Sequence, residues 1–280
     1  MMKMNKPKWF LETSVFINRF LGNSLLKHEI KAVIGTEPCY TSFFVFYEFK
    51  RCVIKTLIEL YFQVLEEDQP SDAIAYYKEK FSNLENKIVI GAISALISNE
   101  DLTNNKLKFL INLERLILDI LEQMGNIIKE FVSNQAKCPL GKVAISSSED
   151  FEKFISQIKC RADCDIASFW KAHLGILKIL TQKENAELHQ KNKEFNKFLP
   201  LLYEVIKDYK VGQTIRNCSK LGDIIIAIEM PKDYTMLTFD RSFESLCPLM
   251  GKAVKRFPSL SELKKRQSLD QNCQISQTEN

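Results

Sequence analysis

Glycine and proline are scarce in this sequence, and long apolar runs are missing. The 280 residues include 9 glycines and 8 prolines, and so few turn-forming residues favour long helices joined by few loops. The longest uncharged apolar run, "IVIGAISALI", is about half as long as the roughly 20 residues that a membrane-spanning helix needs. We therefore expect a helix-rich protein that does not cross a membrane.

Export signals and nucleotide-binding loops are missing as well. The first residues, "MMKMNKPKWFLETSVF", contain no apolar run long enough for a signal peptide. We therefore expect a cytoplasmic location, where the 8 irregularly spaced cysteines stay reduced. The sequence has no glycine-rich phosphate loop and supports no Ser-His-Asp triad. A net charge of +4 permits a nucleic-acid partner without arguing for one.

What is present is an ordinary globular composition with two kinds of segment. Short apolar runs near both ends, "KWFLE", "EPCYTS", "YTMLTF" and "KAVKRF", predict strands separated by helices. The middle of the chain is helix-patterned, including a long helix through "LKFLINLERLILDILEQMGNIIKEFV". The sequence predicts an α/β domain built from 1–66 and 211–262, a large all-helical insertion over 67–210, and a disordered polar tail over 263–280.

Four acidic residues occupy similar local settings: Glu12 and Asp240 end predicted strands, Glu48 lies on the helix that follows the second strand, and Asp223 lies at the start of a late helix. Carboxyl ends of parallel strands converge on the crevice where α/β proteins bind ligands. Carboxylates gathered there repel one another, and their hard oxygen atoms suit Mg²⁺ or Mn²⁺. The chemistry indicated is metal-assisted attack of water on a phosphodiester.

Each acid also has an ordinary explanation. Glu48 could pair with Arg51 one helical turn away, and the other three acids could cap the helices that they precede or begin. Taken singly, these interpretations outweigh function. Taken together they are weaker, because four independent caps need not fall in one consistent pattern, and the set favours a site.

The pattern resembles the PIN-domain ribonucleases. Four motifs carry the resemblance in order, "FLETSVFINRFL", "TSFFVFYEFKR", "LGDIIIAIE" and "MLTFDRSF", and it covers about 7–60 and 212–260. The resemblance implies a PIN-like parallel sheet flanked by helices and a divalent-metal-dependent endoribonuclease. Its substrate would be single-stranded or structured RNA. The implied metal-binding and catalytic residues are Glu12, Glu48, Asp223 and Asp240.

The resemblance also assigns hydroxyl positions and reveals one departure. Thr13 and Thr238 match hydroxyls that orient the carboxylates or contact substrate, and Arg216 is the basic residue we expect beside a substrate phosphate. The family usually has Asp where this chain has Glu12. The extra methylene displaces the carboxylate by about 1.5 Å, so the turn has adjusted, metal binding is weaker, or catalysis is lost.

The runner-up hypothesis is a catalytically weak or inactive PIN-like protein that serves as an RNA- or protein-binding module. The predicted helical insertion would then bind a protein partner or a second copy of the chain. The segment 151–220 is locally basic, with thirteen Lys and Arg against eight acids. Such a segment can follow phosphates, but a solvated helix surface is the commoner explanation.

A structural zinc site is the weaker explanation for the cysteine-rich stretch "KCRADCDIASFWKAH". Cys160 and Cys164 have zinc-ligand spacing, and Cys138 with His173 would complete four ligands. Thiols one helical turn apart are also common in hydrophobic cores, and that interpretation is favoured.

Overall fold

The computed structural model of this protein describes residues 7–80, 83–96, 105–138, 144–158, 164–182 and 198–266, with 196 and 268. These residues form an α/β fold in which an all-parallel sheet is flanked by helices. The predicted α/β class with a parallel sheet is confirmed. None of the described helices combines the length and the apolar character needed to span a bilayer.

The sheet reverses its strand order at its first strand. Its members are β1 (Trp9–Leu11), β2 (Cys39–Ser42), β3 (Ile128–Ser133), β4 (Thr235–Thr238) and β5 (Ala253–Arg256). They lie in the order β3-β2-β1-β4-β5, so β1 pairs with β2 on one side and β4 on the other. The crevice outside the carboxyl ends at such a reversal is the usual ligand site of an open parallel sheet.

Helices account for most of the other described residues. The α-helices are α1 (Thr13–Leu21), α2 (Ser24–Ile34), α3 (Phe43–Phe49), α4 (Lys55–Glu66), α5 (Pro70–Lys80), α6 (Asn83–Leu96), α7 (Lys106–Ile127), α8 (Phe151–Gln157), α9 (Ile166–Ala172), α10 (Leu174–Thr181), α11 (Leu199–Lys207), α12 (Ile215–Lys220), α13 (Gly222–Glu229) and α14 (Ser242–Leu249). A π-helical segment (Lys50–Ile54) joins α3 to α4, so the long helix predicted to begin near Ser42 is continuous.

Side-chain caps fix where several helices begin. The Ser42 hydroxyl accepts a hydrogen bond from the Val45 N–H at 3.3 Å, and Asn23 accepts one from the Leu25 N–H at 2.9 Å. Such caps satisfy N–H groups that have no partner within the helix. Because Ser42 ends β2 and caps α3, it turns the chain at the edge of the sheet where the acidic residues lie.

One hydrophobic cluster runs from the sheet into the helices of the middle of the chain. It includes Phe10 of β1, Phe49 of α3, Leu113 of α7 and Trp170 of α9, all of them fully buried or nearly so. Phe16 of α1 packs edge-on against Phe49, with ring centroids 6.0 Å apart. The helices of 67–210 therefore share their core with the sheet.

The predicted all-helical middle is wrong at one stretch. The sequence predicts helix through Val132, but α7 ends at Ile127 and the chain continues as β3 beside β2. Gly125 weakens the helix just before this point. The strand also gains main-chain hydrogen bonds from β2, and the local sequence pattern gives no information about that pairing. One strand of the shared sheet thus comes from the block between the two predicted α/β segments.

The predicted disordered tail is also wrong at its start. Residues 260–266 are helical, and Leu263 is buried. The Glu262 carboxylate accepts the Ser259 N–H at 2.5 Å and bonds both guanidinium NH groups of Arg256 at 3.1 and 3.2 Å. These contacts anchor the segment to the end of β5. Residues 269–280 lie outside the described residues.

Candidate metal-binding site

The four predicted acids lie together at the carboxyl edge of the sheet, and we call Glu12, Glu48, Asp223 and Asp240 the acidic site. Glu12 directly follows β1, and Asp240 follows β4 by two residues. Glu48 lies on α3, the helix that begins where β2 ends, and Asp223 is the second residue of α13. Two strands and two helices therefore converge on one place at the strand-order reversal.

The four residues of the acidic site differ in solvent exposure. Asp240 is exposed, Glu48 and Asp223 are half-buried, and Glu12 is only 3% exposed. An ion or phosphate arriving from solvent would meet the first three carboxylates before Glu12.

Hydrogen bonds engage the Glu12 carboxylate from several directions. Its Oε2 accepts the Ser14 N–H at 2.7 Å, which makes Glu12 the N-cap of α1. Its Oε1 accepts the Ser14 hydroxyl, the Thr238 hydroxyl at 2.9 Å and, more weakly, the Phe239 N–H at 3.4 Å. Leu11 and Leu237 are register partners in the sheet, so the side chain bridges the ends of β1 and β4.

The Glu48 carboxylate accepts a hydrogen bond from the Thr13 hydroxyl and lies close to Gly222. Thr13 donates its hydroxyl hydrogen to Glu48 Oε2. On the other side, a Cβ at position 222 would lie only 3.1 Å from Glu48 Oε1, so a larger residue would press on this carboxylate. Gly222 thus allows the start of α13, and with it Asp223, to approach α3 closely.

Ser242 donates hydrogen bonds to the other two acids, Asp223 and Asp240, and the sequence did not predict this role. Its N–H donates to Asp240 Oδ1 at 2.8 Å and its hydroxyl donates to Asp223 Oδ2 at 2.8 Å. The residue is buried at the start of α14. The Asp-x-Ser spacing signals a local turn, but the bond to Asp223 joins separate elements and is not encoded locally. Ser14 was missed as well, although it bonds Glu12 only two residues away.

Burial raises the pKa values of three carboxyls, Glu12, Glu48 and Asp223. Burial raises the pKa of Glu12 to about 7, against the lowering effect of its bonds to Ser14 and Thr238. It raises the pKa of Asp223 to about 8, and the charges of Asp240 and Glu48 push that pKa the same way. The pKa of Glu48 is raised too, first by burial. The charged forms of Glu12, Glu48 and Asp223 are therefore disfavoured, and a bound cation would favour them.

Comparison with family models, with curated proteins and with solved structures finds no match.

The donor set fits a hard divalent cation in its chemistry. All four side chains offer carboxylate oxygens, and burial, followed for Asp223 by the charges of its neighbours, raises the pKa values of Glu12 and Asp223. Within the described part of the chain, however, no group of three or more His, Cys, Asp or Glu side chains is already arranged to hold a metal ion.

The other predicted site residues are placed differently. Thr13 and Thr238 are buried, and their hydroxyls bond Glu48 and Glu12, so both orient carboxylates. Substrate contact by either would require rearrangement and stays a prediction. Arg216 is exposed on α12, the helix immediately before α13, and its role with substrate also stays a prediction.

The zinc prediction remains untested. Cys160 lies outside the described residues, while Cys138 and Cys164 are buried in the core. The His173 Nδ1 lies 2.8 Å from the Phe169 carbonyl oxygen, one turn back along α9. The six cysteines within the described residues are free thiols.

Proposed function

We propose that the protein is a divalent-metal-dependent nuclease of the PIN-like kind, with RNA as its substrate. The observation that carries the proposal is the convergence of the acidic site at the strand-order reversal of the parallel sheet. Each acid arrives there from a different element, which four unrelated helix caps would not require. The motifs that resemble PIN-domain ribonucleases supply these same residues.

The chain's own residues would bind and orient the reacting groups. The acidic site would hold Mg²⁺ or Mn²⁺, which supplies an activated water and neutralises phosphate charge when bound. Ser242 would keep Asp223 and Asp240 in fixed orientations through its two donors, and Thr13 would do the same for Glu48. Exposed Arg216 is our candidate for attracting the substrate backbone.

Cleavage of labelled single-stranded RNA tests this proposal. We expect cleavage with Mn²⁺ and none with EDTA, and Asp240→Asn should lower the rate by about 100-fold or more because it removes an exposed charged ligand. The matched control is Asp233→Asn, which removes an acid paired with Lys8 at the surface and should leave cleavage unchanged. Labelled DNA of the same sequence decides the nucleic-acid class.

A second candidate function is binding without cleavage. It is favoured by the hydrogen bonds that already engage Glu12 and by the lack, in the described residues, of a ready-made metal group. In that case the protein would bind RNA or a protein partner, or self-associate, through the helices of the middle block. Equal RNA binding by the unmodified protein and Asp240→Asn, with no cleavage under any metal, would support this function and contradict the first.

A further inference from the structure

A cavity of about 410 Å³ lies between the end of α13 and the helix α10 of the middle block. This volume falls within the range of roughly 300–1,000 Å³ that is typical of small-molecule pockets. Because Ile179 on its wall is exposed, the cavity is accessible from solvent. Most of its lining residues are apolar and come from separate elements, including Val132 of β3, Ile176 and Ile179 of α10, Ile228 of α13 and Leu249 of α14.

Glu229, the last residue of α13, also lines this cavity and has an oxygen without a partner. The residue is only 2% exposed. Its Oε1 accepts the Ala136 N–H at 2.9 Å, whereas its Oε2 has no hydrogen-bond partner among the described residues. Since an unpaired buried polar atom costs free energy, Oε2 is suited to a donor from outside the described chain.

The environment of Glu229 also disfavours its charge. Burial raises its pKa, and the Ala136 N–H lowers that pKa by less. The Ser42 and Ser133 hydroxyls also lower the pKa, but neither of them bonds Oε2. A cation placed against Oε2 would favour the charged carboxylate.

Among the described residues, the basic groups of the cavity wall are already engaged or exposed. Lys252 Nζ donates to three carbonyl oxygens at 2.5, 2.8 and 2.5 Å, and Lys232 is exposed to water. The Nδ1 of His173 lies 2.8 Å from the Phe169 carbonyl oxygen, so Nδ1 donates and Nε2 of the neutral ring is an acceptor. The wall therefore suits a ligand that brings donors and positive charge rather than an anion.

A buried water is the ordinary partner of an unpaired oxygen, but it does not suit the whole cavity. One water takes up about 30 Å³ in the liquid, whereas the cavity measures about 410 Å³ and is mostly apolar. Water that filled it would satisfy Oε2 and leave the apolar side chains hydrated. A molecule with a donor at one end and an apolar body satisfies both parts of the wall.

We therefore infer that this cavity is a binding site for a small amphipathic amine. Its protonated nitrogen would donate to Glu229 Oε2 in a charge-assisted hydrogen bond, and its apolar body would lie against α10. The cavity is separate from the acidic site, because Asp223 and Glu229 are six residues apart on α13, about 9 Å along the helix axis. The inference goes beyond the nuclease proposal and does not depend on it.

Titration of the full chain with three probes tests the inference. The probes 2-phenylethylamine, 2-phenylethanol and 3-phenylpropanoate share an apolar body and differ in the charge of the polar end. Nuclear magnetic resonance of the isoleucine methyl groups measures the Kd and locates the site, since Ile176, Ile179 and Ile228 line the cavity. We expect the amine to shift these signals and to bind at least about tenfold more tightly than the alcohol, with the carboxylate weakest.

Two variants identify the carboxylate that binds the amine. Glu229→Gln keeps an acceptor for the Ala136 N–H but removes the charge, so the Kd of the amine should rise at least about tenfold while that of the alcohol changes less than about threefold. Asp240→Asn is the matched control, because it removes a carboxylate from the acidic site and should leave the Kd of the amine unchanged.

Several outcomes would overturn the inference. These are unshifted isoleucine signals, equal affinity for the three probes, or an unchanged Kd of the amine in Glu229→Gln. Weaker binding in Asp240→Asn alone would place the amine at the acidic site and would also overturn it. If Glu229→Gln does not fold, as judged by circular dichroism, Ile176→Trp replaces it. That variant fills the cavity and should abolish binding of both the amine and the alcohol, and binding that survives it would contradict the inference.

Discussion

At the residue scale, the buried carboxyls should make stability depend on pH. Asp223 has a pKa of about 8 in the folded chain against an ordinary value of 3.8, and Glu12 about 7 against 4.5. Between about pH 4 and 8 the folded state therefore holds protons that the unfolded chain has released, so the free energy of unfolding falls as pH rises. The limit is about 1.4 kcal/mol per pH unit for each such proton.

Urea unfolding in EDTA at pH 5, 6, 7 and 8 measures this slope. Asp223→Asn should make it shallower, whereas Asp233→Asn should not, because the pKa of surface Asp233 is lowered by its bond to Lys8 and it titrates below this range. Excess Mn²⁺ should stabilise the protein more at pH 8 than at pH 5, since protons and the ion compete for the same oxygens. An identical slope in Asp223→Asn would contradict the prediction.

The sequence identified the acids and the supporting hydroxyls of Thr13 and Thr238, but not those of Ser14 and Ser242. Glu12, Asp223 and Asp240 are recognisable because each stands at the border of an element, and Glu48 because it lies on the helix that follows β2; these elements follow from local apolar patterning. Ser14 is near its partner in sequence, but Ser242 serves Asp223 across a separation of 19 residues. No local pattern encodes such a contact, because it depends on how α13 and α14 pack.

At the element scale, a buried lysine from outside the helix binds the carboxyl-terminal end of α13. Lys252 Nζ donates to the carbonyl oxygens of Ala227, Ile228 and Met230 at 2.5, 2.8 and 2.5 Å. These are terminal carbonyls that the helix itself leaves without partners, and a positive charge is favourable there. Lys252 thus fixes the far end of the helix that presents Asp223.

We expect Lys252→Met to lower the free energy of unfolding by roughly 2–3 kcal/mol, because buried carbonyls lose their donors while the side-chain length is kept. Chemical denaturation measures this change. Lys264→Met, at an exposed position, is the control and should cost less than about 0.5 kcal/mol. Equal stability of the two variants would mean that water replaces the lost donors.

The strands show which secondary-structure elements a local sequence pattern predicts and which it does not. The runs that became β1, β2, β4 and β5 are short, apolar and separated by helical segments, so they were predicted. The run that became β3 carries two consecutive exposed charged residues, Lys129 and Glu130, and continues the apolar spacing of α7. Pairing with β2 decides its conformation, and a pattern read along the chain contains no information about that neighbour.

At the scale of the whole molecule, the sheet and the middle block should unfold together. β3 lies between α7 and α8 in the chain, yet it pairs with β2, and Phe131 stacks on Phe43 with ring centroids 4.4 Å apart. The shared hydrophobic cluster extends this connection into the helices. The discontinuous domain division predicted from the sequence would instead allow two separate transitions.

The chain offers a direct measurement, because its 2 tryptophans report on the two parts. Trp9 is on β1, and Trp170 is on α9. In Trp9→Phe and Trp170→Phe, urea unfolding followed by the remaining tryptophan should have the same midpoint as far-ultraviolet circular dichroism of that variant. Separate midpoints within one variant would contradict joint unfolding and favour two domains.

The sequence by itself determined the α/β class, four of the five described strands and the four acids, since these depend on composition and on periodicity within one segment. Only the tertiary structure decided that β3 joins the sheet, that residues 260–266 form a helix at the end of β5, and that Glu12 is the most buried of the four acids. β3 depends on pairing with β2, and Glu12 depends on Thr238, both distant in sequence, whereas residues 260–266 depend on the Arg256 side chain at the end of β5. Hydrogen bonds between separate elements form only when the chain has folded, so a pattern within one segment does not predict them.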